Sequence, residues 1–553
     1  MDTMRCLRQL LCGTVWLACI GSISPVHADA GAVATPAPLP SDAQLEAAHA
    51  RIGTIRINVR PIFDTSNPAD DNFLFRTANR LKIDTRQSAI RAQLLFHSGD
   101  LYSRRILDET ARNLRTLSFV REPDIRPVAW HDGVVDIVVL THEVWTMQPG
   151  VSYGRAGGAN SSGFKFSDSD LLGLGKDITI GSSSDVDRTS KYVQWSDPNI
   201  FGSRWTDLLA YADNSDGRTW QADLEMPFYS LETPRSGGTT IGENRDVATR
   251  YRLGSPWDAY GSYWRWDDIH YGIAINQGDN WIRRLLFGVR HDDMQFTALP
   301  NHPLLAPLPQ DRRLTYPYVR LQIIQNDYAT TRDQDLIART EDLHYGFELD
   351  TGIAWATPAF GSDRHAIIAD AHATYGLHLD SRQELFFTNV MSGRLEYGRL
   401  DNALESPAAS YYLVTSERTK LLVRMSADIG HNLDGDNYLE LGGDTGLRGY
   451  PLRYQQGNQR ALLTVEERLY TGWFPLRLVH VGAAAFFDMG RTWGTTPVQT
   501  LQLGMLEDVG VGLRLGNARS SFGNVIHVDL AAPLQAGSSI SRLQFAVSTE
   551  DSF

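Results

Sequence analysis

The stretch YGFELDTGIAWA, residues 345–356, puts Tyr345, Phe347, Leu349, Ile353 and Trp355 on one side of an extended chain. Gly346, Glu348, Asp350 and Gly352 fall on the other. A period of two with unlike faces is a strand signal, and it recurs. QADLEMPF (221–228) sets Ala222, Leu224, Met226 and Phe228 against Gln221, Asp223 and Glu225. LLVRMSADIG (421–430) sets Leu421, Val423, Met425 and Ile429 against Arg424, Ser426 and Asp428. DVGVGLRLG (508–516) sets Val509, Val511, Leu513 and Leu515 against small residues and Arg514.

Two architectures give this pattern. A soluble sandwich hides the apolar face, whereas a membrane barrel turns it to lipid and keeps charges in a wet lumen. Segments of about 9–11 residues, long enough to cross a bilayer at a tilt, favour the barrel. So do aromatics at expected strand ends, as in YWRW (263–266) and TGWF (471–474), where interface girdles form. Terse turns also alternate with polar stretches read as long loops, such as SLETPRSGGTTIGENRDV (230–247). In lipid every backbone N–H and C=O needs a partner, so such a sheet must close on itself. At about 25 residues per strand and connection, residues 146–553 predict about 16 antiparallel strands.

The chain has 553 residues, a formal net charge of -13 and a pI near 5.6, which argues against a nucleic-acid partner. Residues 1–28 read as a secretory signal: Arg5 and Arg8, an apolar run, then Val26 and Ala28 before the cut. A lipoprotein signal with Cys19 modified is the competing reading. Cys6, Cys12 and Cys19 are the only cysteines, so removal of that segment leaves no disulfide framework.

Residues 29–51, rich in Ala and Pro, read as a flexible linker, although residues 41–50 are compatible with two helical turns. From residue 52 to 145 a small β-α-α-β-β domain is expected. Ile55, Ile57 and Val59 alternate in its first strand. Thr85 and Ser103 are candidate N-caps for two amphipathic helices, with Glu109 in the early turns of the second. Val120–Val128 and Val134–Thr141 read as strands around the turn WHDG. In the barrel, FSDSDLLGLGKDITIG (166–181) and WSDPNIFGSRWTDLLAY (195–211) repeat one turn signal.

Near the C-terminus, GGDTGLRGYPLR (442–453) gathers four glycines around Arg448. Glycines allow a loop to turn back and lie against a wall. A fixed cation can hold it there, because a guanidinium is a planar fork that meets carboxylates two bonds at a time. Glu466 in LLTVEERLY and Asp488 in AFFDMG are candidate inward carboxylates, and such a lock contributes on the order of 1–3 kcal/mol.

These features together resemble the outer-membrane POTRA-plus-barrel superfamily, the BamA/TamA-like surface antigens. The run AIRAQLLFHSGDLYSRRILDETARNLRTLSFV resembles a POTRA domain through Gly99, Tyr102 and residues 114–119. LRGY is similar to the arginine-glycine-aromatic signature of the sixth extracellular loop, and FFDMG to the aromatic-x-aspartate-x-glycine strand motif. The resemblance implies a loop lock of Arg448, Gly449 and Tyr450 with Asp488, Glu466, Phe486 and Gly490. It also implies that the terminal Phe553 is a barrel recognition signal, and it selects 16 strands.

The implied function is assembly or translocation of polypeptides at the outer membrane. Partners would be membrane lipid, extended clients that add to a strand edge of the periplasmic domain, and periplasmic chaperones or accessory proteins. A two-partner secretion pore for one exported protein is the alternative, as is a passive channel lined by Glu348, Asp350, Asp370 and Asp380. No hydrolase, nucleotide or zinc motif occurs, so no enzyme, cofactor or metal is expected. NLDGDNY (432–438) spaces oxygen ligands but lacks the rest of a calcium loop and reads as a turn.

Overall fold

A computed structural model describes residues 39–550, apart from 277–279, 301, 303, 499–502, 518, 520–524, 536 and 538–539. The expected signal segment and the terminal Phe553 lie outside the described residues.

The chain enters through α1 (Asp42–Ala47), closed at its start by a capping box between Ser41 and Gln44. Leu45 on this helix is fully buried among the core residues that follow. Residues 41–50 therefore pack as part of the small domain, which corrects the flexible-linker reading for that segment. Next come β1 (Arg51–Arg60), α2 (Phe73–Leu81), α3 (Gln87–Gln93), α4 (Arg104–Thr116), β2 (Val120–His131) and β3 (Val134–Glu143). β3 lies in the middle of the sheet, parallel to β1 and antiparallel to β2. Ile57, Ile90, Leu94, Leu107, Leu114 and Ile137 fill the space between sheet and helices. The β2–β3 turn needs positive φ at both Asp132 and Gly133, 50° and 79°, as two-residue hairpins do.

Three local readings change. Helix α2 was not expected, so the order is β-α-α-α-β-β after α1. Thr85 caps nothing; its hydroxyl bonds Asp170 in the barrel at 2.7 Å, and its N–H bonds Glu143 at 2.7 Å. Ser103 occupies the cap position of α4, but Glu46 accepts the Arg104 N–H instead, at 2.8 Å. In both places a partner distant in sequence takes the bond the local spacing promised.

The barrel begins with β4 (Met147–Ala156) and closes after Gln544–Glu550. It has 20 strands, not 16. Two causes account for the excess. Many connections are only two residues long, as at 157–158, 215–216, 253–254, 381–382, 397–398 and 417–418. The presumed loop 230–247 is also mostly a strand, Arg235–Arg252, paired along its whole length with Ser255–Asn276. Glycine, threonine and charge made it look like a loop, yet inward positions of a wet barrel tolerate those residues.

Outward positions carry the apolar set. Val151, Phe164, Ile180, Leu209, Ile269, Phe287, Ile353, Trp355, Met425, Val511 and Leu513 are all exposed on the barrel strands. An apolar exterior on a closed antiparallel sheet is the surface of an outer-membrane barrel. Two aromatic readings are corrected here. Trp264 and Trp266 sit inside the lumen rather than at a girdle, with Trp266 lying over Gly242. Tyr345 leaves the apolar face because Phe347–Ala356 starts two residues later, and it bonds Glu384 at 2.7 Å. The repeated turn signal becomes two similar turns, Leu171–Gly173 and Ile200–Gly202, with Leu172 and Phe201 both at positive φ.

Candidate functional site

The connection between Thr419–His431 and Gln459–Trp473 is the GLRGYP arm, and it folds back into the barrel. A short ladder, Leu439–Leu441 with Gln455–Gly457, stiffens its base. Leu441, Leu447 and Tyr450 are buried with Leu506 and Ile540. That apolar anchor offsets part of the entropy lost in ordering the loop.

Arg448 lies at the centre. Its Nε donates to Asp488 Oδ2 at 2.7 Å and its Nη2 to Asp488 Oδ1 at 3.1 Å. Nη1 donates to Glu466 Oε2 at 2.8 Å. Asp529 adds a carboxylate oxygen at 3.6 Å. The guanidinium stacks 3.3 Å from the ring centre of Phe486, whose other side rests on Gly510. Burial pulls the Arg448 pKa down, but Asp488, Glu466 and Asp529 outweigh it and raise it. The side chain stays charged, and each carboxylate depends on it, since a buried charge without a partner costs several kcal/mol, about 3–5.

The glycines have specific reasons. A Cβ on Gly449 would meet Asp508 Cβ at 2.6 Å, and the Gly449 N–H donates to Asp508 Oδ2 at 3.0 Å. Gly446 has φ of 115°, and a Cβ there would strike Leu462 at 2.4 Å. Tyr450 donates its hydroxyl to the Glu507 carbonyl at 3.0 Å. Gly490 lies on the wall where a Cβ would touch Leu441 of the arm at 3.0 Å. Arg448, Asp488, Glu466 and Phe486 meet directly, while Gly449, Tyr450 and Gly490 lie where the arm contacts the wall.

Sequence reading missed several members. Asp508, Asp529 and Arg514 share the inward face, with Arg514 bonding Asp529 and reaching Glu466 at 3.2 Å. Their inward alternation was a usable signal. Arg453 pairs with Asp187 at 2.9 and 2.6 Å, while Leu452 N–H bonds the Gly157 carbonyl at 3.0 Å. These tie the arm to distant extracellular turns and left no local trace. In NLDGDNY, Arg394 takes Asp434 at 2.8 and 2.9 Å, and Arg312 takes Asp436 at 2.8 and 2.7 Å. Of the expected channel acids, Asp350 and Asp370 both face Arg320. Asp380 instead caps a turn through Arg382 N–H at 2.8 Å.

No family model and no curated protein matches the chain. Among solved structures, BamA from Haemophilus ducreyi lacking POTRA domains 1-3 is similar at 13% identity. The match covers 90% of this chain and 85% of that one, with a TM-score of 0.38. CdiB from Acinetobacter baumannii matches at 13% identity over 90% and 74%, TM-score 0.44. CdiB from Escherichia coli does so at 13% over 90% and 76%, TM-score 0.46. Likeness of that depth carries no activity from one chain to another. The molecule's own geometry is a closed antiparallel barrel with an apolar exterior, a small α/β domain ahead of it and an arginine-bearing arm folded into its lumen.

Proposed function

We propose that this chain handles polypeptides at the outer membrane, inserting or translocating them, with its POTRA-like domain (residues 52–145) in the periplasm. The observation that carries this reading is the closure of the barrel. Among the described residues, Gln544–Glu550 pairs with β4 only at Val547↔Arg155. Its other neighbour, Val525–Pro533, pairs with it from Val525↔Glu550 to Ala531↔Gln544. A barrel serving as a plain pore gains nothing from one weak joint, whereas a seam that parts admits a client strand by backbone pairing. In the small domain residues 99–102 cover the start of the outer edge of β1 at Arg51 and Ile52, and beyond Ile52 that edge has no strand partner among the described residues. β2 is broken by Pro127 and two register shifts, which blunts its edge. The β1 edge is therefore the better place for a client to add. Arg448, held by Asp488 and Glu466, would keep the arm in the state that sets the seam.

The test is quantitative proteomics of outer membrane and medium, comparing cells with the gene, without it, and with Arg448→Ala. Broad loss of barrel proteins supports assembly. Loss of a single secreted protein supports a dedicated translocation pore, which fits the same seam and arm. An unchanged profile overturns both and leaves a passive channel.

A further inference from the structure

Residues 326–346 connect two neighbouring wall strands, Arg312–Gln325 and Phe347–Ala356, at the end facing the small domain. Adjacent strands need only a tight turn, as 381–382 and 417–418 demonstrate at that end. This connection instead forms a hairpin of its own, Tyr328–Arg332 with Thr340–His344. Its tip is organised internally, because Glu341 accepts the N–H groups of Gln334 and Asp335, each at 2.9 Å.

The tip travels far from its root. Gln334 carbonyl accepts from Arg468 at 2.6 Å and from Tyr470 at 3.1 Å. Asp335 accepts from Arg468 at 3.0 Å and from Tyr412 at 3.1 Å. Ile337 is buried against Tyr470, Ala484 and Val525, and lies 3.0 Å from where a Cβ on Gly516 would stand. Val525 belongs to the eighth strand round the wall from Phe347–Ala356. A hairpin rooted at one strand can reach the eighth only by crossing the mouth of the lumen.

The hairpin's other side is held by the small domain. Arg115 of α4 clasps Asp342 at 2.6 and 2.5 Å, and Arg112 lies 4.2 Å over the Tyr328 ring. Glu122 of β2 accepts the Thr340 hydroxyl at 2.8 Å and pairs with Arg332 at 3.3 Å. Arg468 also bonds Glu466 at 3.2 Å, the carboxylate that receives Arg448. Hairpin and extracellular arm thus end on two residues of one strand, from opposite ends of the lumen.

We propose that residues 326–346 are a periplasmic plug, docked on the Arg468 wall and governed by the position of the small domain. When that domain shifts, the Arg115–Asp342 clasp parts, the tip leaves Arg468 and the mouth opens. The device is independent of which cargo the barrel handles.

The experiment uses the full chain in lipid nanodiscs and planar bilayers; its three natural cysteines all precede residue 20. With Ile337→Cys as reporter, alkylation by a bulky maleimide is slow, and adding Arg115→Ala speeds it about tenfold, the factor for losing one charge-assisted bidentate pair. Conductance is read with Arg448→Ala present throughout, so that the extracellular arm is loosened in every sample. There Arg115→Ala raises the frequency of openings, and oxidising an Ile337→Cys/Gly516→Cys pair suppresses them until reductant is added. An alkylation rate indifferent to Arg115→Ala overturns the proposal, as do openings that ignore the cross-link. Heat-modifiable migration on gels confirms that each variant barrel is folded.

Discussion

The two halves of the lumen use their inward residues differently. On the strands from Gln459–Trp473 to Val525–Pro533, Glu466, Asp488, Asp508, Arg514 and Asp529 are all buried, and most face the arm or one another. On the opposite wall Trp264, Trp266, Tyr316 and Tyr318 line a cavity of about 810 Å³. There mid-wall arginines pair along their own strand or within two strands of it: Arg290 holds Asp292 at 2.8 Å, and Arg320 holds Asp370 at 2.7 Å, while Arg312 and Arg394 reach Asp436 and Asp434 of the arm. One wall grips the inward-folded arm at Arg448, and the other, apart from Arg312 and Arg394, braces itself. Charge in a lumen therefore has two meanings, and only the partner's place in the chain separates them.

Substitutions on the gripping wall should cost most. Asp488→Ala removes both bonds to Arg448 and the one from Thr464, leaving a buried guanidinium half-paired. Loss of about 3–5 kcal/mol of arm docking is expected, read as fast proteolysis near Gly446 with the barrel still heat-modifiable. Unchanged proteolysis would erase the contrast between the walls. Gly449→Ala comes next, since its Cβ must displace Asp508; about 1–3 kcal/mol of overpacking should also speed cleavage of the arm.

On the bracing wall the effect shrinks and changes character. Asp292→Asn weakens bonds from Trp264, Tyr316 and Arg290, so thermal stability should fall by about 1–2 kcal/mol. Cleavage in residues 432–458 should not change, and a shift there would show that the walls are coupled. The smallest effect lies in the small domain. Burial, then Arg121 and Arg60, depress the His142 pKa, so the fold holds the imidazole neutral. The unfolded chain takes up its proton first as pH falls through about 6.5, and stability present above that pH is lost below it. Amide exchange in Val134–Glu143 should quicken from pH 7.5 to 5.5, and His142→Gln should flatten that slope.

Much of this was legible beforehand because the deciding signals were local. Period-two alternation reports its two faces without any knowledge of the neighbouring strand, so the barrel could be read from Ile353, Met425 or Val511. Arg448 stands out in its glycine-rich turn, but Asp488 and Glu466 are singled out from many inward carboxylates by the resemblance of LRGY and FFDMG to a known motif pair. Strand number was not, because Arg235–Arg252 is written in residues that serve equally as loop. The hairpin at 326–346 was also invisible: five-residue strands leave too short a pattern, and Arg468 lies more than a hundred residues further along. The Thr85 and Ser103 caps failed for a related reason: Asp170 takes the Thr85 hydroxyl and Glu46 takes the Arg104 N–H, both from far along the chain.

The arm touches both banks of the barrel's closing joint. Gly449 bonds Asp508 on the late strands, and three residues on, Leu452 bonds Gly157 just past the first strand. The sheet is then a hoop whose fastening is kept on a separate strap. Where the ladder itself offers little, the bonds of Gly449 and Leu452 reach to either side of the joint from within. Undoing the strap would leave the hoop's thinly laddered closure as its first point of failure.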